Sequence, residues 1–129
     1  MILSLSIGCI VLVAESAQSP ESAYQIIQRT YQHATSRMWS EGIPGIQASA
    51  IYHLGIEEFF WRNCAPKKYH RAELDRRAAL AIRHFKIPAD VANKQAAAVA
   101  ALLTKEFGGR DPSALRQACA DRLAPNIQD

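Results

Sequence analysis

Absences bound this chain before any motif does. Its 129 residues contain no Cys-x-x-Cys pair, no glycine-rich phosphate loop, no His-Glu-x-x-His helix and no nucleophile elbow. The dithiol redox, nucleotide-cradling, zinc-protease and serine-hydrolase chemistries that need those spacings have no foothold. Cys-x-x-Cys-His is missing as well, so no covalent haem is expected, and neither a cofactor nor a metal site is read from the sequence. Alternating apolar and polar residues, repeats and low-complexity linkers are also lacking, which argues against strands and for a single domain. Charge is modest: 15 Lys and Arg against 12 Asp and Glu give +3, well short of a typical nucleic-acid binder.

No long apolar run is present either. Ile2 to Ala14 spans 13 residues, apolar apart from two serines, Gly8 and Cys9. A bilayer core needs roughly 20 apolar residues as helix, so no transmembrane span is expected. The length instead suits the apolar core of a signal peptide, and Ala14-Glu15-Ser16 supplies the small-x-small pattern for cleavage before Ala17. No Lys or Arg precedes the run, which leaves the amino terminus as its only positive charge. Residues 1–16 are therefore expected to be a leader and 17–129 a single mature domain, periplasmic or secreted. Two alternatives are a lipid attached at Cys9 and a cytosolic chain with this segment buried.

What is present is helical periodicity. Ser19-Pro20-Glu21 reads as a helix start, followed by Tyr24, Ile27, Tyr31, Ala34 and Met38 on one face until Gly42-Ile43-Pro44-Gly45. From Ile46 to about Asn63 a second helix is apolar over a broad face (Ala50, Leu54, Ile56, Phe59, Phe60, Trp61), the mark of a bundle's centre. A third helix from about His70 to Phe85 should turn Leu74, Ala78, Ala81, Ile82 and Phe85 inward. A fourth should bury Ala92, Ala96, Val99, Leu103 and Phe107, and end at Gly108-Gly109. Asp111-Pro112 opens a fifth, with Leu115, Ala118, Cys119 and Leu123 inward and Pro125 as its stop. The expected fold is a small all-α bundle of four to five helices.

Loss of the leader leaves two cysteines, Cys64 and Cys119. An even count in a small exported domain predicts a structural disulfide. Zinc on Cys64, Cys119, His53 and His70 would follow no standard ligand spacing.

His53 and Glu57, one turn apart, could set a general base against its orienting carboxylate, and an envelope enzyme built on them is a further alternative; an exposed polar pair is the expected role, and no enzyme is predicted. The aromatic set Trp39, Tyr52, Phe59, Phe60 and Trp61 is expected to be core, except that Trp39, beside the glycine-rich turn, is a candidate contact residue. The main charge feature runs from Lys67 to Lys86: Lys67, Lys68, Arg71, Arg76, Arg77, Arg83 and Lys86 against Glu73 and Asp75. With Trp39, Lys67, Lys68, Arg71, Arg76, Arg77 and Arg83 form the expected binding surface, suited to an acidic protein or an anionic envelope component. The same stretch offers a helix-turn-helix alternative for a cytosolic chain, with Asn93, Lys94, Gln95, Thr104 and Lys105 as its polar readers. The exported setting disfavours nucleic acid.

Cys64-Ala65-Pro66, the helix ending in "HFKIPADVA" and the alanine-rich "AAAVAALLTKEFGG" together resemble the small periplasmic Tai/Rap-type immunity proteins of type VI secretion systems. The resemblance covers roughly residues 50–108. It implies a helical, disulfide-bonded protein that binds and neutralises a peptidoglycan-degrading toxin. The chain departs from that pattern at Ser49, where a further cysteine is expected, and after Phe107, where Gly-Gly replaces a closing cysteine.

Overall fold

The computed structural model describes residues 21–64, 71–109 and 112–128, with side chains up to 122. These residues form five helices and no strand: α1 (Ala23–Ser40), α2 (Gly45–Asn63), α3 (Arg71–Phe85), α4 (Ala89–Gly108) and α5 (Pro112–Gln128). The all-α architecture is thus as expected, and Cys64 and Cys119 are joined by a disulfide across Cα atoms 5.5 Å apart. The expected leader 1–16, Cys9, and Lys67, Lys68 and His70 lie outside the described residues.

α1 starts later than the Ser19-Pro20-Glu21 pattern suggested. Ser22 caps it, its hydroxyl accepting from the Gln25 N–H while the Gln25 side chain accepts from the Ser22 N–H. This reciprocal pair satisfies two otherwise orphan donors and fixes the start at Ala23. Ala34 and Met38 are buried as expected, but towards the start of the helix the buried positions are Ala23, Ile26 and Thr30; Ile27 and Tyr31 pack half-buried beside them, and Tyr24 is 70% exposed. The shift is possible because the Thr30 hydroxyl donates to the Ile26 carbonyl at 2.7 Å, so a polar residue can be buried without an unmet bond.

α1 and α3 end in the same way. Ile43 N–H reaches the Met38 carbonyl and Gly42 N–H the Trp39 carbonyl; Ile87 and Lys86 repeat this on Ile82 and Arg83. Such six-to-one and five-to-two bonds require a left-handed residue after the helix. Gly42 supplies it at φ 90°, whereas α3 forces Lys86 to φ 57°.

α2 is the hub. Ala48, Ile51, Tyr52, Gly55 and Phe59 are buried, as expected of a central helix, but Ile46 is 68% exposed. On one side lies α4, whose buried residues are Ala92, Val99, Ala100, Leu103 and Phe107, with Ala96 half-buried. Contact is close enough that a Cβ on Gly55 would stand 2.5 Å from Val99 Cβ and 3.0 Å from the Ala96 carbonyl oxygen. Phe59 stacks on Phe107 at 5.2 Å. With Gln47 donating to the Phe85 and Lys86 carbonyls, these pairs make α2 and α4 run in the same direction. α1 runs antiparallel to both, joined to α2 by the Tyr52 hydroxyl on the Ile27 carbonyl and to α4 by Arg29–Glu106.

α3 packs chiefly on α2, with Leu74 its only buried side chain; Ala78, Ala81, Ile82 and Phe85 reach half-burial. α5 caps the far end of the core through buried Ala114 and Ala118, with Leu115 half-buried. It continues through Pro125 to Gln128 instead of stopping there. The disulfide closes a separation of 55 residues and stabilises this end by about 4 kcal/mol in the chain-entropy model.

Candidate functional site

The surplus of cations read between Lys67 and Lys86 divides in the structure. Arg71 turns inward to Glu58 (2.6 Å) and Asp75 (3.1 Å), with its guanidinium 5.0 Å from the centre of the Trp61 ring. Glu58 also holds Arg62 at 2.8 Å although its side chain is only 16% exposed. Hydrogen bonding to Glu58 holds the Arg71 guanidinium above its ordinary pKa. Arg77 lies 3.7 Å from Glu57, whose carboxylate also receives Arg122 from α5. Two cations expected on a docking surface therefore serve to seat α3 on α2.

Between α2, α3 and α4 this leaves a cleft of about 500 Å³. Its walls are short or apolar side chains, among them Leu54, Leu74, Ala78, Ala81, Ala96 and Ala97, with the ion pairs at its edges. His53 and Glu57 both line it. They are not coupled as base and orienter: His53 Nδ1 bonds the Ser49 carbonyl at 2.8 Å, and Glu57 is taken by the two arginines. Cys64 and Cys119 are bonded to each other and offer no thiolate pair to a metal.

The outer face of α3 is different. Arg76, Leu80 and Arg83 follow one another at four and three residues, a single helical ridge, with His84 exposed beside it. Leu80 is 44% exposed, a large aliphatic side chain left to solvent between cations. Arg76 is paired with Glu73 on the same helix at 2.6 Å, which holds the Glu73 carboxyl below its usual range. Arg83 makes no ion pair among the described residues, and His84 stands edge-on against Phe85 at 4.8 Å. Lys86 follows at the strained turn. Trp39 is 72% exposed, but on α1, away from this ridge.

Of the side chains expected to read bases, Asn93, Lys94, Thr104 and Lys105 are exposed on α4 and Gln95 is half-buried. α4 is a core helix; the Gln95 amide is tied to Glu41 and Arg37, and the Thr104 hydroxyl to the Ala100 carbonyl. Sequence reasoning missed Leu80, Glu58 and Arg122. Leu80 was legible, being outside the inward spacing of α3, whereas Glu58–Arg71 and Glu57–Arg122 join residues 13 and 65 positions apart and leave no local signal. No family model matches the chain, and neither does any curated protein or solved structure with which it was compared.

Proposed function

We propose that this chain is an exported domain that works by binding, holding an acidic protein of the cell envelope against the outer ridge of α3. The observation that carries the reading is Leu80, an exposed aliphatic centre flanked by Arg76, Arg83 and His84. Apolar anchors surrounded by arginine are the composition of binding hot spots, and the cations would steer an acidic partner to them. The disulfide supports export, because cytosolic thiols are kept reduced. The resemblance to periplasmic immunity proteins agrees in kind, with a toxin as the partner it implies. Binding is favoured over catalysis because His53 and Glu57 are committed to separate partners.

Two measurements test this. Expression of the full-length gene in a Gram-negative host, with fractionation and intact mass without reductant, should give a periplasmic chain starting at Ala17, two mass units below its reduced form. A cytosolic, full-length, reduced chain would end the export reading. An envelope extract passed over immobilised protein should leave one acidic protein bound, released by salt, and not retained by Leu80→Glu/Arg83→Glu. Equal retention by that variant would remove α3 as the docking surface.

A further inference from the structure

We propose that α5 is a redox-latched strap, docked across the end of the bundle while Cys64 and Cys119 are bonded and released when they are reduced, with α1 to α4 keeping their fold in both states. The inference rests on the disulfide and needs neither export nor the acidic partner. It starts from an imbalance in the core. The largest fully buried side chains, from Tyr52 and Phe59 down to Val99 and Thr30, all lie on α1, α2 and α4. Among its described residues α5 buries Ala114 and Ala118, and a single methyl group is the smallest apolar contribution a side chain makes.

The contacts that assemble the other four helices leave α5 out. Gly55 against Val99 and Phe59 on Phe107 join α2 to α4, the Tyr52 hydroxyl on the Ile27 carbonyl joins α1 to α2, Arg29–Glu106 joins α1 to α4, and Arg71–Glu58 joins α3 to α2. A helix in a protein draws most of its stability from its packed face, and α5 has a narrow one with Pro125 further along it. Its ion pair adds little to hold it. Arg122 and Glu57 are each about a quarter exposed, and Glu57 also has Arg77 at 3.7 Å, so withdrawal of Arg122 leaves that carboxylate with a cation and with water.

The covalent bond is what remains. Cys119 follows Ala118 on the packed stripe and Cys64 is the C-cap of α2, so the bond keeps the middle of α5 against the end of the central helix however weak the other contacts are. Release takes one thiol–disulfide exchange with a dithiol reductant. Cys64 is buried and Cys119 half-buried, which directs the incoming thiolate to Cys119; the Cys64–Cys119 bond breaks, Cys64 leaves as a thiolate and takes a proton, and the second sulfur of the reductant then displaces Cys119 as a thiol. The two electrons and the two protons come from the dithiol, which ends as a disulfide. An oxidising disulfide runs the same steps in reverse, so a reducing compartment holds the strap open and an oxidising one holds it shut. Opening uncovers Phe60, over whose ring Arg122 lies at 5.9 Å in the closed state.

Hydrogen exchange of the purified protein, read by mass spectrometry before and after reduction with dithiothreitol, tests the strap. Peptides from residues 112–122 should be protected in the oxidised protein and exchange as fast as an unfolded chain once it is reduced. Peptides from residues 51–59 and 99–107 should stay at least about a hundredfold slower than that in both states, because α2 and α4 open only with the whole core. Reoxidation should restore protection to α5, and Cys64→Ser/Cys119→Ser should give the reduced pattern with no reductant present. Protection of α5 that survives reduction overturns the proposal. So does loss of protection in α2 and α4 together with α5, which would make the bond a staple of the entire domain.

Discussion

α4 and α3 lie against the same helix and are held there by opposite means. α4 meets α2 at Gly55, Val99 and the Phe59–Phe107 stack, where exclusion of water and close packing do the work. α3 meets it through one buried leucine and ion pairs to Glu57 and Glu58, and a cleft remains between. Both helices are rich in alanine. In α4 alanine lets backbones approach; across from α3 no described residue fills the space that its small side chain leaves. Alanine therefore marks close packing only where the facing position is complementary, and the consequence is one rigid side of α2 and one adaptable side.

The largest effects should come from attacking the rigid side. Phe59→Ala empties a fully buried site and removes the stack on Phe107, and urea unfolding should show a loss of about 3–5 kcal/mol. Gly55→Ala tests the contact by overfilling it: a loss of about 1–3 kcal/mol is expected, and with Val99→Ala in the same chain the combined loss should be smaller than the sum. Additive losses would mean that Gly55 is not pressed on Val99.

A third test uses pH. Burial, with Tyr31 beside it, pushes the Tyr52 phenol well above its ordinary 10.0. A group raised in this way contributes stability that is complete below pH 10 and is lost as pH climbs toward the folded value, at up to about 1.4 kcal/mol per pH unit. Tyr52→Phe should lose about 1 kcal/mol at neutral pH, from the bond to Ile27, and then decline less steeply than wild type above pH 10.

The smallest effect belongs to the adaptable side. Arg71 is 46% exposed, so its pairs are screened, and Arg71→Ala should cost no more than about 1 kcal/mol. Its consequence should instead be local: hydrogen exchange in α3 should quicken while that in α4 stays unchanged. Equal acceleration in both helices would collapse the contrast between them.

Sequence reasoning succeeded where one face repeats without interruption and its residues are plainly apolar. Val99, Leu103 and Phe107 of α4 were read in that way, and the disulfide followed from cysteine count and the expected compartment. In α1, Ala34 and Met38 were read correctly, but its first half was misread by one position because Thr30 counted as polar, and its burial depends on a bond within the helix that composition does not show. The error placed Tyr24 in the core, where the structure leaves it exposed. The cleft was not legible at all, since it is set by how two distant helices fail to meet.

One feature of the core also shapes its formation in time. α2 and α4 point the same way, so the chain must travel back along the molecule before they can pair, and α3 with its flanking segments is that return path. Closing a connection of roughly 25 residues costs chain entropy before any core contact rewards it. A helix seated by one buried leucine and by ion pairs thus sits on the route to the tightest contact in the fold. Substitutions that lower its helical tendency should delay folding more than they weaken the folded domain.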